Sequence, residues 1–108
     1  MRNKKNLTFN QRVYDIVSKV PMGKLTTYRD IAKAMKCKAY RAVGNALNKN
    51  PNAPIVPCHR VIKSDGTIGG YAFGVKKKIS ILRKEGIKFN SDDQIQDPES
   101  YLFRLTKG

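Results

Sequence analysis

Apolar residues recur at helical spacing from near the start of the chain. In "TFNQRVYDIVSKV" (8–20), Phe9, Val13, Ile16, Val17 and Val20 share one face, and Thr8 with Gln11 has the form of a capping box. Pro21 and Gly23 end that helix. A second is expected after Thr27, with Asp30 in its first turn and Ile31 and Met35 of "YRDIAKAM" facing inward. A third follows in "AYRAVGNALNKN", where Tyr40, Val43 and Leu47 form the apolar stripe while Arg41, Gly44, Asn45 and Asn48 face elsewhere. Two short helices joined by "KCK" have the outline of a helix-turn-helix. The pattern then changes. "NPNAPIVP" is too proline-rich for a helix and reads as an extended loop, "RVI" as a short strand turned by "KSDG", and "TIGGYAFG" as a glycine-rich loop. "VKKKISILRKEG" is a last firm helix ended by Gly86, and "DPESYLFRL" adds a small one. The expected class is mostly α with a small β element: a helix-turn-helix, winged-helix-like three-helix core within one domain spanning residues 1–108.

Composition adds a partner class. With 40% hydrophobic residues the chain can bury one modest core, and 22 Lys and Arg against 8 Asp and Glu leave a net charge of +14. Such a field attracts polyphosphates without any specific contact, so nucleic acid comes first and an anionic membrane surface second. Nothing reads as a membrane span, a signal-peptide core or a basic amphipathic anchor, which argues against a membrane partner and for a cytoplasmic protein with reduced thiols. Only Cys37 and Cys58 are present, too few for a disulfide framework or a zinc site.

The stretch "PIVPCHRVIKSDG" places Cys58 before the chain's one histidine, His59, and near Arg60. A lone cysteine among apolar residues is ordinarily a small buried hydrophobe. His59, Arg60 and the positive field would nevertheless favour its thiolate, the form that attacks an electrophile. Neighbours in an extended strand point to opposite faces, so His59 serves Cys58 only at a turn, which Pro57 permits, or through a water. The histidine would also need a carboxylate to orient it.

The motif "PCHRVI", preceded by "YRAVGNALNKNP" and followed by "SDGTIGGYAFGVKKKISILRKEG", resembles the catalytic domain of the 6-O-alkylguanine-DNA alkyltransferases from about Phe9 to Gly86. Members commonly carry a further N-terminal domain, so the resemblance implies the catalytic, C-terminal-type half standing alone. It implies Cys58 as acceptor of the alkyl group from the 6-oxygen of guanine, His59 as a base acting through water, and Glu85 as its orienting carboxylate. Tyr28 matches a donor to ring nitrogen 3 of the leaving guanine. Arg41 matches the residue that fills the base stack while the damaged nucleotide turns out. Ala42, Gly44 and Ala46 suit close approach of the helix to a minor groove. Asn50 matches a hinge, Ser64 a residue near the DNA backbone, and Val61, Tyr71, Ala72 and Phe73 the pocket wall. Asn45, Ala72 and Phe73 depart from common members, which opens the question of substrate range.

The implied reaction is DNA repair by in-line displacement that leaves a thioether, once per molecule. Its implied partner is double-stranded DNA containing alkylated guanine, met by a monomer without metal or organic cofactor. Two other classes stay open. A non-catalytic DNA-binding module explains charge and helix-turn-helix equally well, although alkyltransferase-like proteins of that kind lack the acceptor cysteine. A cysteine hydrolase using Cys58, His59 and Glu85 has no need of the charge excess.

Overall fold

A computed structural model describes residues 8–50, 55–71 and 73–105. Ala72 and positions 51–54 of the proline-rich loop lie outside the described residues. Helix α1 (Phe9–Val17) begins with the expected capping box, Thr8 and Gln11 each accepting the other's backbone N–H. It stops at Val17, short of Val20, because Pro21 disfavours helical backbone at the residue before it. The chain closes instead with tight bonds from Lys19 N–H to Ile16 O and from Val20 N–H to Val17 O, and Val20 stays buried.

Strand β1 (Thr26–Thr27) runs straight into α2 (Tyr28–Ala34), which Thr27 caps by accepting the Asp30 N–H. Helix α3 (Tyr40–Asn48) follows after a turn at Lys36, whose φ of 57° is left-handed. Lys36 N–H bonds to Lys33 O and Cys37 N–H to Ala32 O, a complete Schellman closure built without glycine. This turn sets α3 against α2 as a helix-turn-helix, and Tyr14 of α1 ties the third side by donating its hydroxyl to Ala46 O at 2.7 Å. The face of α3 differs from expectation in two places. Tyr40 is 45% exposed and stands outside the core, whereas Ala46, expected near DNA, is buried beside Val43 and Leu47. In a nine-residue helix the core stripe is fixed by positions 43, 46 and 47, and Tyr40, at the first turn, overhangs its edge.

Strand β2 (Val61–Ile62) pairs in parallel with β1, Thr26 opposite Val61 and Thr27 opposite Ile62. Its alternation divides the interior: Val61 joins the core of α1, α2 and α3, while Ile62 joins a second core with Leu25, Leu82, Ile87 and Ile95. Helix α4 (Val75–Lys84) supplies Leu82 to that second core and ends at Gly86, where φ is 98°. The tail returns through a short 3-10 turn at Pro98–Tyr101 and brackets Leu25, whose N–H bonds to Tyr101 O and whose carbonyl accepts from Phe103 N–H. The expected class holds: mostly helical, with a helix-turn-helix and a two-stranded sheet among the described residues.

Candidate active site

The residues after Pro57 form a single 3-10 turn, Cys58–Arg60, between the proline-rich loop and β2. A turn here removes the objection that adjacent side chains diverge, and both Cys58 and His59 are buried, at 4% and 1% exposure. His59 Nε2 lies 2.9 Å from Glu85 Oε2, so the ring orientation is set from the end of α4. Glu85 also accepts from Arg60, Nε to Oε1 at 2.9 Å and Nη2 to Oε2 at 2.7 Å, and Arg60 Nη1 reaches Val20 O at 2.8 Å. The Glu85 carboxylate thus joins the active turn to the end of α4, and Arg60 extends the link to the loop after α1.

The protonation states follow from these contacts. Burial works to raise the Glu85 carboxyl, but hydrogen bonds and charge from Arg60 and His59 outweigh it and hold the group below its ordinary value. Glu85 is then a carboxylate, able only to accept, and His59 Nε2 must carry the hydrogen. Burial, opposed by Glu85, lowers His59 below its ordinary value, which keeps the imidazole neutral near pH 7. Its Nδ1 is therefore an unprotonated acceptor, buried and without a hydrogen-bond partner among the described residues.

Cys58 corrects the sequence expectation. Arg60 is committed to Glu85 and Val20, and burial raises the thiol above its ordinary value despite the Asn50 hydrogen bond and the Lys78 charge that pull it down. The resting group is a thiol, activated only when its proton is taken. Iodoacetamide at pH 7.5 should accordingly label Cys58 well below the rate of an unstructured cysteine, with labelling rising only as pH passes the ordinary thiol range. Labelling as fast as free cysteine, followed by peptide mass, would contradict this.

Lys78 is the functional residue that the sequence reading missed. It is fully buried, and its Nζ donates to Val61 O at 2.6 Å, Ile68 O at 2.6 Å and Gly70 O at 3.0 Å. Three donors meet three carbonyls, stapling the glycine-rich loop to the strand that follows Cys58. Burial lowers its pKa to about 8, with the Cys58 charge opposing, so it remains mostly cationic near neutrality. A signal was present: Lys78 precedes the buried Leu82 by four residues and so shares its face of α4.

The remaining candidates sit around this centre. Asn50 is buried, and besides its hydrogen bond to Cys58 its Nδ2 donates to Val56 O at 2.7 Å, spanning the loop between α3 and the turn. Tyr28 is half-buried at the start of α2, its phenol raised by burial and by Cys58. A side chain at Gly69 would meet the Tyr28 hydroxyl at 3.1 Å, and its φ of 73° suits glycine. Tyr71 lies edge-on to His59 and to the 62%-exposed Phe73, with ring centroids 6.5 and 5.5 Å apart. Val61 is buried in the first core, while Ser64 lies exposed beside Tyr28 along a groove.

Arg41 and Ala42 open α3 away from the buried set, Arg41 exposed. A Cβ added at Gly44 would meet no atom of the described residues within 4 Å, so packing among them does not require a glycine there. No three of the His, Cys, Asp and Glu residues among the described residues converge as metal ligands do, and no helix among them is long and apolar enough to cross a membrane.

Comparison with known proteins bears on this arrangement. The family model described as "6-O-methylguanine DNA methyltransferase, DNA binding domain" matches residues 8–87. A "Methylated-DNA--protein-cysteine methyltransferase" of Saccharolobus islandicus is 49% identical over 86 residues, covering 80% of this chain and 56% of that protein. The chain thus spans little more than half of that relative. A Mycobacterium tuberculosis OGT solved in complex with DNA superposes with a TM-score of 0.70 at 40% identity, over 74% of this chain and 49% of that one. S. pombe Atl1, solved with damaged DNA containing O6-carboxymethylguanine, gives 0.76 at 29% identity over 96% and 99%. With the match to the family model covering most of its length, the chain belongs to the 6-O-methylguanine DNA methyltransferase DNA-binding-domain family.

Proposed function

We propose that this protein repairs DNA directly, moving a methyl or larger alkyl group from the 6-oxygen of guanine in a duplex to Cys58 in a single turnover. The observation that carries the reading is the buried turn in which Cys58 adjoins a His59 oriented by Glu85, with Nδ1 free to accept. On this reading residues 1–108 are one catalytic and DNA-binding domain, corresponding to the catalytic half of longer relatives. It acts as a cytoplasmic monomer on double-stranded DNA; the two free cysteines suit a reducing compartment.

His59 Nδ1 takes the Cys58 proton through a water, and Lys78 beneath the turn favours the thiolate that forms. Sulfur attacks the alkyl carbon in line, the carbon–oxygen bond breaks, and its electron pair passes to the guanine. Tyr28 gives a hydrogen bond to ring nitrogen 3, so the leaving base does not bear the charge alone. The reacting carbon lies inside the duplex, and the nucleotide must be turned out to reach a thiol this buried. Arg41 fills the gap, and Ala42 and Gly44 let α3 approach the minor groove. Asn50 couples α3 to the active turn, Ser64 meets the DNA backbone, and Val61, Tyr71 and Phe73 bound the pocket. The Phe73 ring at its rim favours methyl over bulky adducts.

A thioether has no easy reverse path, so stoichiometry is the test. With excess duplex carrying one 6-O-methylguanine, the protein should remove one methyl per molecule and then stop. Continued turnover refutes the acceptor role. Recognition of alkylated DNA without transfer is the second reading, favoured by the likeness to Atl1 over 96% of the chain. It predicts binding with no methyl removed, and the presence of Cys58 weighs against it.

A further inference from the structure

Tyr40, displaced from the core, lines a groove of about 470 Å³ with Tyr28, Arg29, Lys63, Ser64 and Asp65. Its charges are not balanced. Arg29 and Lys63 are exposed, neither side chain donates a hydrogen bond among the described residues, and the charge of Lys63 acts on Asp65 nearby. Asp65, the acid at the rim, is turned back on its own loop, where Oδ1 accepts from the Thr67 N–H at 3.0 Å and the Thr67 hydroxyl at 2.7 Å. The groove therefore offers an anion two cations against one carboxylate that is already hydrogen-bonded within its own loop, and offers two phenol rings to something flat. A phosphate attached to a nucleoside has both properties.

Its position makes the match specific. Tyr28 belongs both to this groove and to the surroundings of Cys58. A guanosine that passes Tyr28 to reach the thiol remains joined to its neighbours by phosphodiesters, and those cannot follow it into a buried site. They must lie at the entrance, which on this side is the groove. Tyr40 stands one residue before Arg41, so a ring there is next to whatever α3 inserts into the duplex.

We propose that Arg29 and Lys63 hold the phosphodiester between the extruded guanosine and its neighbour in the same strand, and that Tyr40 stacks on that neighbour. This rests on the alkyl-transfer reading and adds three positioning residues to it. The groove would then act before chemistry, holding the strand open while the base is out.

The test compares two methyl donors, a duplex with one 6-O-methylguanine and the free base 6-O-methylguanine, which has no phosphodiester. Tyr40→Ala should slow transfer from the duplex about ten-fold, while Tyr40→Phe, which keeps the stacking ring, stays within about two-fold. The pair Arg29→Gln with Lys63→Gln should slow the duplex reaction and reduce the salt dependence of duplex binding by about two ions. All three proteins should react with the free base like the unmodified chain. A control pair on α4, Lys76→Gln with Lys77→Gln, removes the same charge outside the groove. Equal slowing by the two charge pairs would mean a general field effect and would overturn the assignment. So would a Tyr40→Ala protein impaired on both donors, or one unimpaired on the duplex. Unmodified protein that accepts methyl from neither donor removes the alkyl-transfer reading, and this assignment with it.

Discussion

On the alkyl-transfer reading, replacing Cys58 by alanine should abolish methyl transfer while leaving duplex DNA binding intact. Cys58 is the sulfur beside the His59–Glu85 pair, and Cys37, half-buried in the turn after α2, has neither partner. No second group can take the methyl when the first is removed, so the expected loss is complete. DNA binding should survive, since Cys58 is 4% exposed and the cations of α3 and the groove are untouched. The substitution deletes one buried sulfur, a change on the order of 1 kcal/mol in stability. The measurement pairs intact mass after reaction with a methylated duplex and gel-shift affinity for the same duplex. The unmodified protein should gain one methyl, mapped to the peptide holding Cys58. Methyl on Cys37, or transfer by the alanine variant, would sink the assignment.

Lys78→Ala should be the most destabilising single change in the chain's second half. The variant leaves the carbonyls of Val61, Ile68 and Gly70 without their donor and opens space where a long side chain was packed. Removing one side of a buried charged network costs roughly 3–5 kcal/mol, against a total of about 5–15 kcal/mol for a domain of this kind. The melting temperature should therefore fall by on the order of 10 °C or more. Surface neighbours provide the contrast: Lys77→Ala, one residue away and exposed, should change stability by less than about 0.5 kcal/mol. Thermal unfolding of both variants decides it, and a Lys78→Ala protein as stable as Lys77→Ala would show that the buried cation contributes nothing.

The helices were legible because their signals are local. Thr8 with Gln11, Thr27 with Asp30, and Gly86 at a left-handed C-terminal position announce themselves by residue type. Lys36 closes α2 with the same geometry as Gly86 closes α4, yet lysine at φ 57° carries no mark in the sequence, and the joint between α2 and α3 was read from spacing alone. Tyr40 stands outside the expected stripe because steps of three and four residues, Tyr40 to Val43 to Leu47, cannot say how far a stripe reaches at a helix end. At the site, Glu85 came from resemblance, not from the residues, because 26 positions separate it from His59 and only the fold brings them to 2.9 Å. Lys78 hid among three consecutive lysines, where composition says surface and only the register with Leu82 says interior. The thiol's resting state was misjudged for a similar reason: sequence adjacency put Arg60 beside Cys58, whereas the turn sends its guanidinium to Glu85.

The alternation in β2 has a consequence for how such a chain can change over generations. Val61 faces the helical half with Cys58, and Ile62 faces the half from which Glu85 hangs. The sulfur and the carboxylate that orients its neighbouring base are therefore inherited from different parts of the interior, hinged on a strand two residues long. On the proposed reading, drift in the residues around Leu82 and Ile95 can dull or silence the sulfur without disturbing the helices proposed to meet the duplex. A lineage under pressure only to find lesions, and to leave their removal to others, could discard one half of the inheritance and keep the other.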